Sequence, residues 1–178
     1  MRERDFYELI RQRLLAAGYA QDSAWCFSRN QAMRDEYIAD RQDYLGLGSG
    51  AFSYMQGVLF ANTFSISDYR ELIRSGRTGA VRSLPLSARD QMRYYLLMQL
   101  FGGSLKLPAA EARFDGRFHS TVWPELMLLR APGAIHKSRT RLTLSKYGQY
   151  VWVVLMRELF AGINSLRDEL REHGDTPG

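Results

Sequence analysis

Apolar residues recur at helical spacing along several stretches of the chain, and these stretches predict its helices. The first runs from Glu3 to Ala17 and is followed by Gly18, a residue type that commonly closes helices. The last runs from Ser145 to Arg171, and its apolar side chains recur every three or four residues from Trp152 to Leu170, which predicts one buried stripe. The same spacing predicts helices between these two, at Tyr69–Ser75, from Ser87 to Gly102-Gly103, from Pro108 to Phe114, and over His119–Arg130 with a break near Pro124.

Other stretches lack this spacing and predict strands or connections. Tyr19–Phe27 favours a strand, and Ser53–Phe60 predicts a hairpin because two aromatic-rich arms flank a Gln-Gly turn. Ala134–Leu144 alternates basic and non-basic side chains, as a strand pair does. Arg77–Pro85 is predicted to be a basic linker, and Asn30–Gln42 a loop or a short helix.

The most distinctive stretch contains three glycines that alternate with other residues, Gly46, Gly48 and Gly50. A helix does not tolerate so many glycines, so the spacing predicts an extended strand. A strand without side chains lets another group lie close to its backbone. That group is either another element of this chain or a bound ligand, and the glycines alone do not decide between the two.

Length and composition describe an ordinary globular protein, since 46% of the 178 residues are hydrophobic and 24% are charged. We expect one domain, or one domain with a small appendage, and a mixed α+β fold. A division is predicted between a glycine-rich front, residues 1–64, and a mainly helical back, residues 65–178. The longest apolar run is too short to span a bilayer and the N-terminus has no signal-peptide core, which predicts a cytoplasmic protein with no membrane partner.

The sequence gives little support for a metal-binding site or a catalytic nucleophile. The single cysteine, Cys26, excludes a disulfide framework and any cysteine-only cluster built from this chain. The three histidines have no metal-ligand spacing, so no metal-binding or catalytic residue is predicted.

The net charge of +5 favours anionic partners only slightly. The basic stretch Lys137–Arg141 lies between predicted helices, which is the layout of a winged helix and makes nucleic acid a rival partner. A solvated basic edge is favoured over DNA binding, because the charge is modest and the last helix is apolar rather than basic.

Residues 44–62, YLGLGSGAFSYMQGVLFAN, resemble the segment YLGLGxGAHSYxxGxRxxN of radical SAM enzymes related to oxygen-independent coproporphyrinogen III oxidase. The same family includes a heme chaperone and several methyltransferases. Three flanking stretches, GYAQDSAWCFSR, SISDYRELIRSGR and RLTLSKYG, resemble family elements in the same order.

This resemblance implies a fold, a cofactor set and a missing partner. The fold would be the terminal strands of an incomplete β/α barrel, residues 1–64, followed by a mainly helical, winged-helix-like C-terminal domain, residues 65–178. Family members use S-adenosylmethionine and a 4Fe-4S cluster held by Cys-x3-Cys-x2-Cys, a motif absent from this chain. The chain would therefore be the substrate-side C-terminal region of an oxidoreductase of porphyrin biosynthesis, inactive alone, and would lack its N-terminal radical SAM domain.

The resemblance also implies a site on a tetrapyrrole substrate whose propionates are oxidatively decarboxylated. The residues matching the pocket wall of the family are Gly48, Gly50, Ala51, Phe52 and Ser53. The charges of Arg77, Arg82 and Arg89 make them candidate partners for propionates. Two departures favour a related branch over a strict oxidase. Phe52 stands where the family has His or Ile, and the His-Asn pair expected upstream is missing. The alternatives are a non-catalytic heme or tetrapyrrole-binding protein and a radical SAM methyltransferase relative.

Overall fold

The protein is a mixture of helices and short antiparallel strands. The computed structural model describes residues 2–29 and 43–174. Within that part of the chain the helices are α1 Glu3–Ala16, α2 Ile66–Arg74, α3 Ala88–Phe101, α4 Leu107–Arg113, α5 Phe118–Thr121, α6 Trp123–Arg130 and α7 Lys146–Gly174. The strands are β1 Ala20–Gln21, β2 Phe27–Ser28, β3 Phe52–Met55, β4 Val58–Asn62, β5 Ala80–Pro85, β6 Ser104–Lys106, β7 Ile135–Lys137 and β8 Arg141–Leu144. The α+β class expected from the sequence is confirmed.

The chain forms two compact units. The first comprises residues 1–41 and 92–156, and the second comprises residues 42–91 and 157–178. The division at residues 64 and 65 stays a prediction. The stretch Asn30–Gln42, expected to be a loop or a short helix, lies outside the described residues.

The first unit is built on a small antiparallel sheet with strand order β6-β8-β7. Its core is apolar and contains residues from α3 to α7, namely Leu96, Leu100, Phe101, Leu105, Ala110, Phe118, Val122, Leu126, Ile135, Leu142, Trp152 and Met156. The indole Nε1 of Trp152 donates to the carbonyl oxygen of Leu97 at 3.0 Å, so this large side chain is buried without losing a hydrogen bond. The predicted stripe on the last helix is confirmed at Trp152 and Met156.

The predicted connections of the first unit are largely confirmed. The Ala134–Leu144 stretch folds into the β7–β8 hairpin. The helix predicted over His119–Arg130 is interrupted as expected, since α5 ends at Thr121 and α6 begins at Trp123 with Pro124 in its first turn. The strand predicted at Tyr19–Phe27 is instead a pair of two-residue strands, β1 and β2. Strand β6 was not predicted, because three residues between two helices carry no periodicity.

The second unit contains the antiparallel sheet β3-β4-β5. The hairpin predicted around Gln56-Gly57 is confirmed, and both turn residues are left-handed, with φ of 49° and 82°. The linker predicted at Arg77–Pro85 is wrong over most of its length, since Ala80–Pro85 is strand β5, paired with β4. The side chains of Val81–Pro85 are exposed, so this edge strand lacks the apolar alternation by which strands are recognised.

Helix α2 begins three residues earlier than predicted. Its N-cap is Ser65, whose Oγ accepts from the backbone N–H of Asp68 at 3.3 Å. The predicted start of α3 at Ser87 is confirmed, since α3 begins at Ala88 and the Ser87 Oγ accepts from the N–H of Asp90 at 3.2 Å and donates to its carboxylate at 2.6 Å. Across the described residues, no helix combines the length and the apolar character that crossing a membrane requires.

Candidate functional site

The three alternating glycines lie in a looped segment of the second unit, residues 46–50, which we call the glycine segment. The prediction of an extended strand here is wrong. Only Tyr44, just before it, pairs with Tyr54 of β3, and Gly48 and Gly50 have positive φ angles of 103° and 72°. Such angles turn the chain out of a strand, and they are accessible to glycine at little steric cost.

Two side chains from neighbouring elements hold the glycine segment. The Nδ2 of Asn62, at the end of β4, donates to the carbonyl oxygens of Gly46 at 3.3 Å and Gly48 at 2.9 Å. The N–H of Gly48 donates to the hydroxyl of Tyr69, on α2, at 3.0 Å. Asn62 is buried and Tyr69 half-buried, so these hydrogen bonds are partly shielded from competition with water.

The three glycines are required for different reasons. A Cβ on Gly46 would overlap the carbonyl oxygen of Phe52, and one on Gly50 would lie 2.9 Å from the ring of Phe64. A Cβ on Gly48 would meet no atom within 4 Å. Gly46 and Gly50 are therefore explained by packing inside the unit. Gly48 alone presents a bare backbone to open space.

The predicted site residues do not all share one surface. Ser53 is buried, and its Oγ accepts from the N–H of Gly46 at 3.1 Å. Phe52 and Ser53 are adjacent on β3, so their side chains lie on opposite faces of the sheet. The N–H of Ala51 donates to the carbonyl oxygen of Gly48 at 3.3 Å, which closes the loop. Ser53 and Gly50 thus support the segment from within, whereas Gly48 and Phe52 remain candidates for contact with a ligand.

One of the three candidate arginines shares a row with Phe52. In the sheet, Phe52 lies opposite Ala61, and Ala61 lies opposite Arg82 on β5. Residues directly opposite one another point to the same face, so Arg82 and Phe52 do so too, about 10 Å apart across two strand spacings. Arg77 and Arg89 are also exposed, but they lie outside the strands of this sheet.

Residues 2–29 and 43–174 contain no group of three or more His, Cys, Asp or Glu side chains that could hold a metal ion. The chain has one cysteine, Cys26, which is half-buried in the first unit. These residues do not fit a 4Fe-4S cluster, which is held by cysteine thiolates.

Sequence reasoning gave no role to Asn62, Tyr69 or Gly79, although the first two lie in the stretches that carry the family resemblance. A Cβ on Gly79 would overlap the ring of Tyr69, so this glycine is explained by the tyrosine beside it. The signal in the sequence was a lone aromatic residue on the short helix α2.

No protein-family model matches the chain, and no curated protein matches it in sequence. Among solved structures, it is similar to coproporphyrinogen III oxidase from Escherichia coli, a radical SAM enzyme, with a TM-score of 0.60 and 18% sequence identity. The similarity covers 83% of this chain and 38% of that enzyme's chain. At this identity the comparison shows a shared fold. The chain corresponds in length to well under half of the enzyme.

Proposed function

We propose that the chain is the substrate-side region of a coproporphyrinogen III oxidase-like radical SAM enzyme that acts on a tetrapyrrole. Residues 1–64 would supply the end of an incomplete barrel, and residues 65–178 the helical C-terminal domain. The proposal is supported by the fold shared with part of such an enzyme. The observation that carries it is the open, left-handed backbone at Gly48, in the same unit as the sheet that bears Phe52 and Arg82.

Three features of the second unit suit a flat molecule that carries carboxylates. A bare glycine allows a bulky group to approach the backbone closely. An aromatic ring such as Phe52 offers a face for stacking. Arg82 offers a guanidinium, which binds carboxylates in a planar, two-point geometry. A tetrapyrrole with propionate side chains presents both kinds of group, and we assign Arg82, rather than Arg77 or Arg89, to the propionates.

The outer edge of the second unit suits a missing barrel strand. Tyr44 exchanges hydrogen bonds with Tyr54, at 2.7 and 3.0 Å. No described residue forms a hydrogen bond with the backbone of Leu45 or Leu47, and their side chains are 67% and 80% exposed. Backbone next to a strand bridge, with unpaired polar groups and exposed apolar side chains, is a place where another strand can add. We assign this edge to the missing N-terminal radical SAM domain, which would bring the 4Fe-4S cluster and, with it, S-adenosylmethionine.

The test is a titration of the full chain with coproporphyrin III, the stable oxidised form of the substrate, followed by its Soret absorbance. We expect saturable binding that weakens about two- to tenfold in Phe52→Ala, because loss of an aromatic contact costs roughly 0.5 to 1.5 kcal/mol. Phe6→Ala is the matched control, since Phe6 is 52% exposed on α1 of the first unit. Absence of saturable binding, or equal effects of the two variants, would refute the proposal.

A winged-helix nucleic-acid binder is the second candidate. The order of elements favours a winged-helix-like fold for the C-terminal region, because α4, α5 and α6 lie between β6 and the β7–β8 hairpin. The exposed side chains on α6 include Trp123, Met127 and Leu128, however, and these are apolar rather than basic. Binding of duplex DNA that weakens steeply as salt is raised would favour this second candidate over the first.

A further inference from the structure

We infer that Asn62 and Tyr69 are positioning residues that fix the backbone of the glycine segment in the shape that its ligand contacts. Together with Gly79 they form what we call the Asn62–Tyr69 clamp. The inference rests on the proposed function, because it assigns the clamp a role toward the ligand at Gly48. It also states what kind of ligand surface Gly48 contacts.

The clamp occupies both polar groups of Gly48. The N–H donates to the Tyr69 hydroxyl at 3.0 Å, and the carbonyl oxygen accepts from the Asn62 Nδ2 at 2.9 Å. Asn62 also holds Gly46 through its carbonyl oxygen. The peptide groups on both sides of Leu47 are thereby anchored, although the Leu47 side chain is exposed.

Gly79 fixes the position of the Tyr69 ring. Its backbone is not left-handed, so conformational freedom does not account for a glycine at this position. A Cβ there would overlap the Tyr69 ring and lie 3.3 Å from the Cγ of Asn62. The carbonyl oxygen of Gly79 accepts from the N–H of Thr63, the residue after β4, at 2.9 Å, which ties the end of that strand to the same point. Gly79 therefore lets both clamp side chains pack against one stretch of backbone.

The occupied polar groups determine what Gly48 recognises. Because its N–H is already bonded to Tyr69, Gly48 does not offer that donor to an anion. The open side of Gly48 is its Cα, where no atom lies within 4 Å of a Cβ position. The ligand therefore contacts Gly48 through a flat apolar surface, in van der Waals contact, and its charged groups bind elsewhere. A macrocycle lying with its face on Gly48 fits this requirement.

Amide hydrogen exchange of the full chain, measured by NMR, tests the clamp itself. In Tyr69→Phe, we expect exchange at Gly48 to accelerate about three- to tenfold, because one hydrogen bond is lost. The amide of Leu59, in the central strand β4, should not change. Tyr147→Phe is the matched control, since Tyr147 lies in the first unit and its hydroxyl has no hydrogen bond among the described residues.

Coproporphyrin III affinity tests the role toward the ligand. Tyr69→Phe, Asn62→Ala and Gly79→Ala should each weaken binding by about three- to tenfold, and Gly79→Ala does so without removing any polar group. Gly102→Ala is its control, because a Cβ there lies at an ordinary 3.5 Å from the carbonyl oxygen of Gln99. Adding salt should not change the affinity that the contact at Gly48 contributes, since this contact involves no charge.

The outcomes separate the inference from the function on which it rests. Binding by the wild type that is unchanged in the clamp variants would overturn the inference and leave the proposed function standing. Equal acceleration at Gly48 and Leu59 would also overturn it, because Tyr69 would then only stabilise the unit. Absence of binding by the wild type would refute the proposed function and the ligand role of the clamp together. In that case the exchange data would still show whether the clamp exists.

Discussion

Gly46 and Gly48 are two residues apart, yet the structure predicts very different consequences for the same substitution to alanine. In Gly46→Ala, the new methyl group overlaps the carbonyl oxygen of Phe52 in β3. This oxygen is a backbone atom, so it cannot move aside by a change of side-chain rotamer. The segment must move, which strains the bonds of Gly46 with Ser53 and Asn62. Two weakened hydrogen bonds at about 1 kcal/mol each, added to about 1 to 3 kcal/mol for overpacking, give a loss of roughly 3 to 5 kcal/mol.

Gly48→Ala meets no steric obstacle, since no atom lies within 4 Å of the added Cβ. Its penalty comes from the backbone, because alanine must adopt the φ of 103° that glycine holds there. Such a conformation costs about 1 to 3 kcal/mol. The clamp can hold the segment in place, so this variant should stay folded and lose coproporphyrin III affinity, because the methyl group occupies the surface that the ligand contacts.

The assay exploits the position of the three tryptophans. Trp25, Trp123 and Trp152 all lie in the first unit, so their fluorescence reports urea unfolding there. Hydrogen exchange of peptides from residues 43–91 reports the second unit. We expect Gly46→Ala to raise exchange in the second unit far more than Gly48→Ala, with little change in the fluorescence midpoint. Equal effects of the two variants would refute the packing reasoning.

Three further predictions concern the first unit. Trp152→Phe removes the hydrogen bond with Leu97 and leaves a void, so the free energy of unfolding measured in urea should fall by about 2 to 4 kcal/mol. A fall below about 0.5 kcal/mol would contradict this role for Trp152. Burial raises the pKa of Tyr7 above its ordinary 10.0. Since the folded state holds this proton more tightly, the associated stability is complete below pH 10.0 and is lost as pH rises through the raised value. In Tyr7→Phe, the free energy of unfolding measured against pH should no longer show this decline. Lys106 lies directly opposite Arg141, so Lys106→Glu should raise stability by about 0.5 kcal/mol at low salt; a gain that persists in concentrated salt would contradict the electrostatic origin.

Much of the fold follows from the sequence because helical periodicity and turn chemistry are local signals. Helix α1 was predicted to within one residue at its C-terminal end, and the β3–β4 hairpin was predicted from the Gln56-Gly57 turn and the aromatic-rich arms that flank it. Strand β5 was missed because most of its side chains are exposed, and its two large apolar residues, Val81 and Leu84, do not lie at alternate positions, so the stretch carries no apolar alternation.

The candidate site was predicted only in part. The alternating glycines pointed to close backbone contact, but not to a loop, because the positive φ angles depend on partners distant in sequence. Those partners, Asn62 and Tyr69, lie 14 and 21 residues from Gly48. Whether a glycine serves internal packing or an open surface also depends on its neighbours in space, which is why Gly46 and Gly48 are indistinguishable in the sequence and distinct in the structure.

Reading the coding DNA upstream of codon 1, in frame, tests most directly whether this chain belongs with a radical SAM domain. We predict an open frame that encodes Cys-x3-Cys-x2-Cys, the cluster motif that the 178 residues lack. The exposed segment at Leu45 and Leu47 would then have its partner in the same polypeptide. A stop codon followed by a ribosome-binding site just before Met1 would contradict the assignment to a radical SAM enzyme.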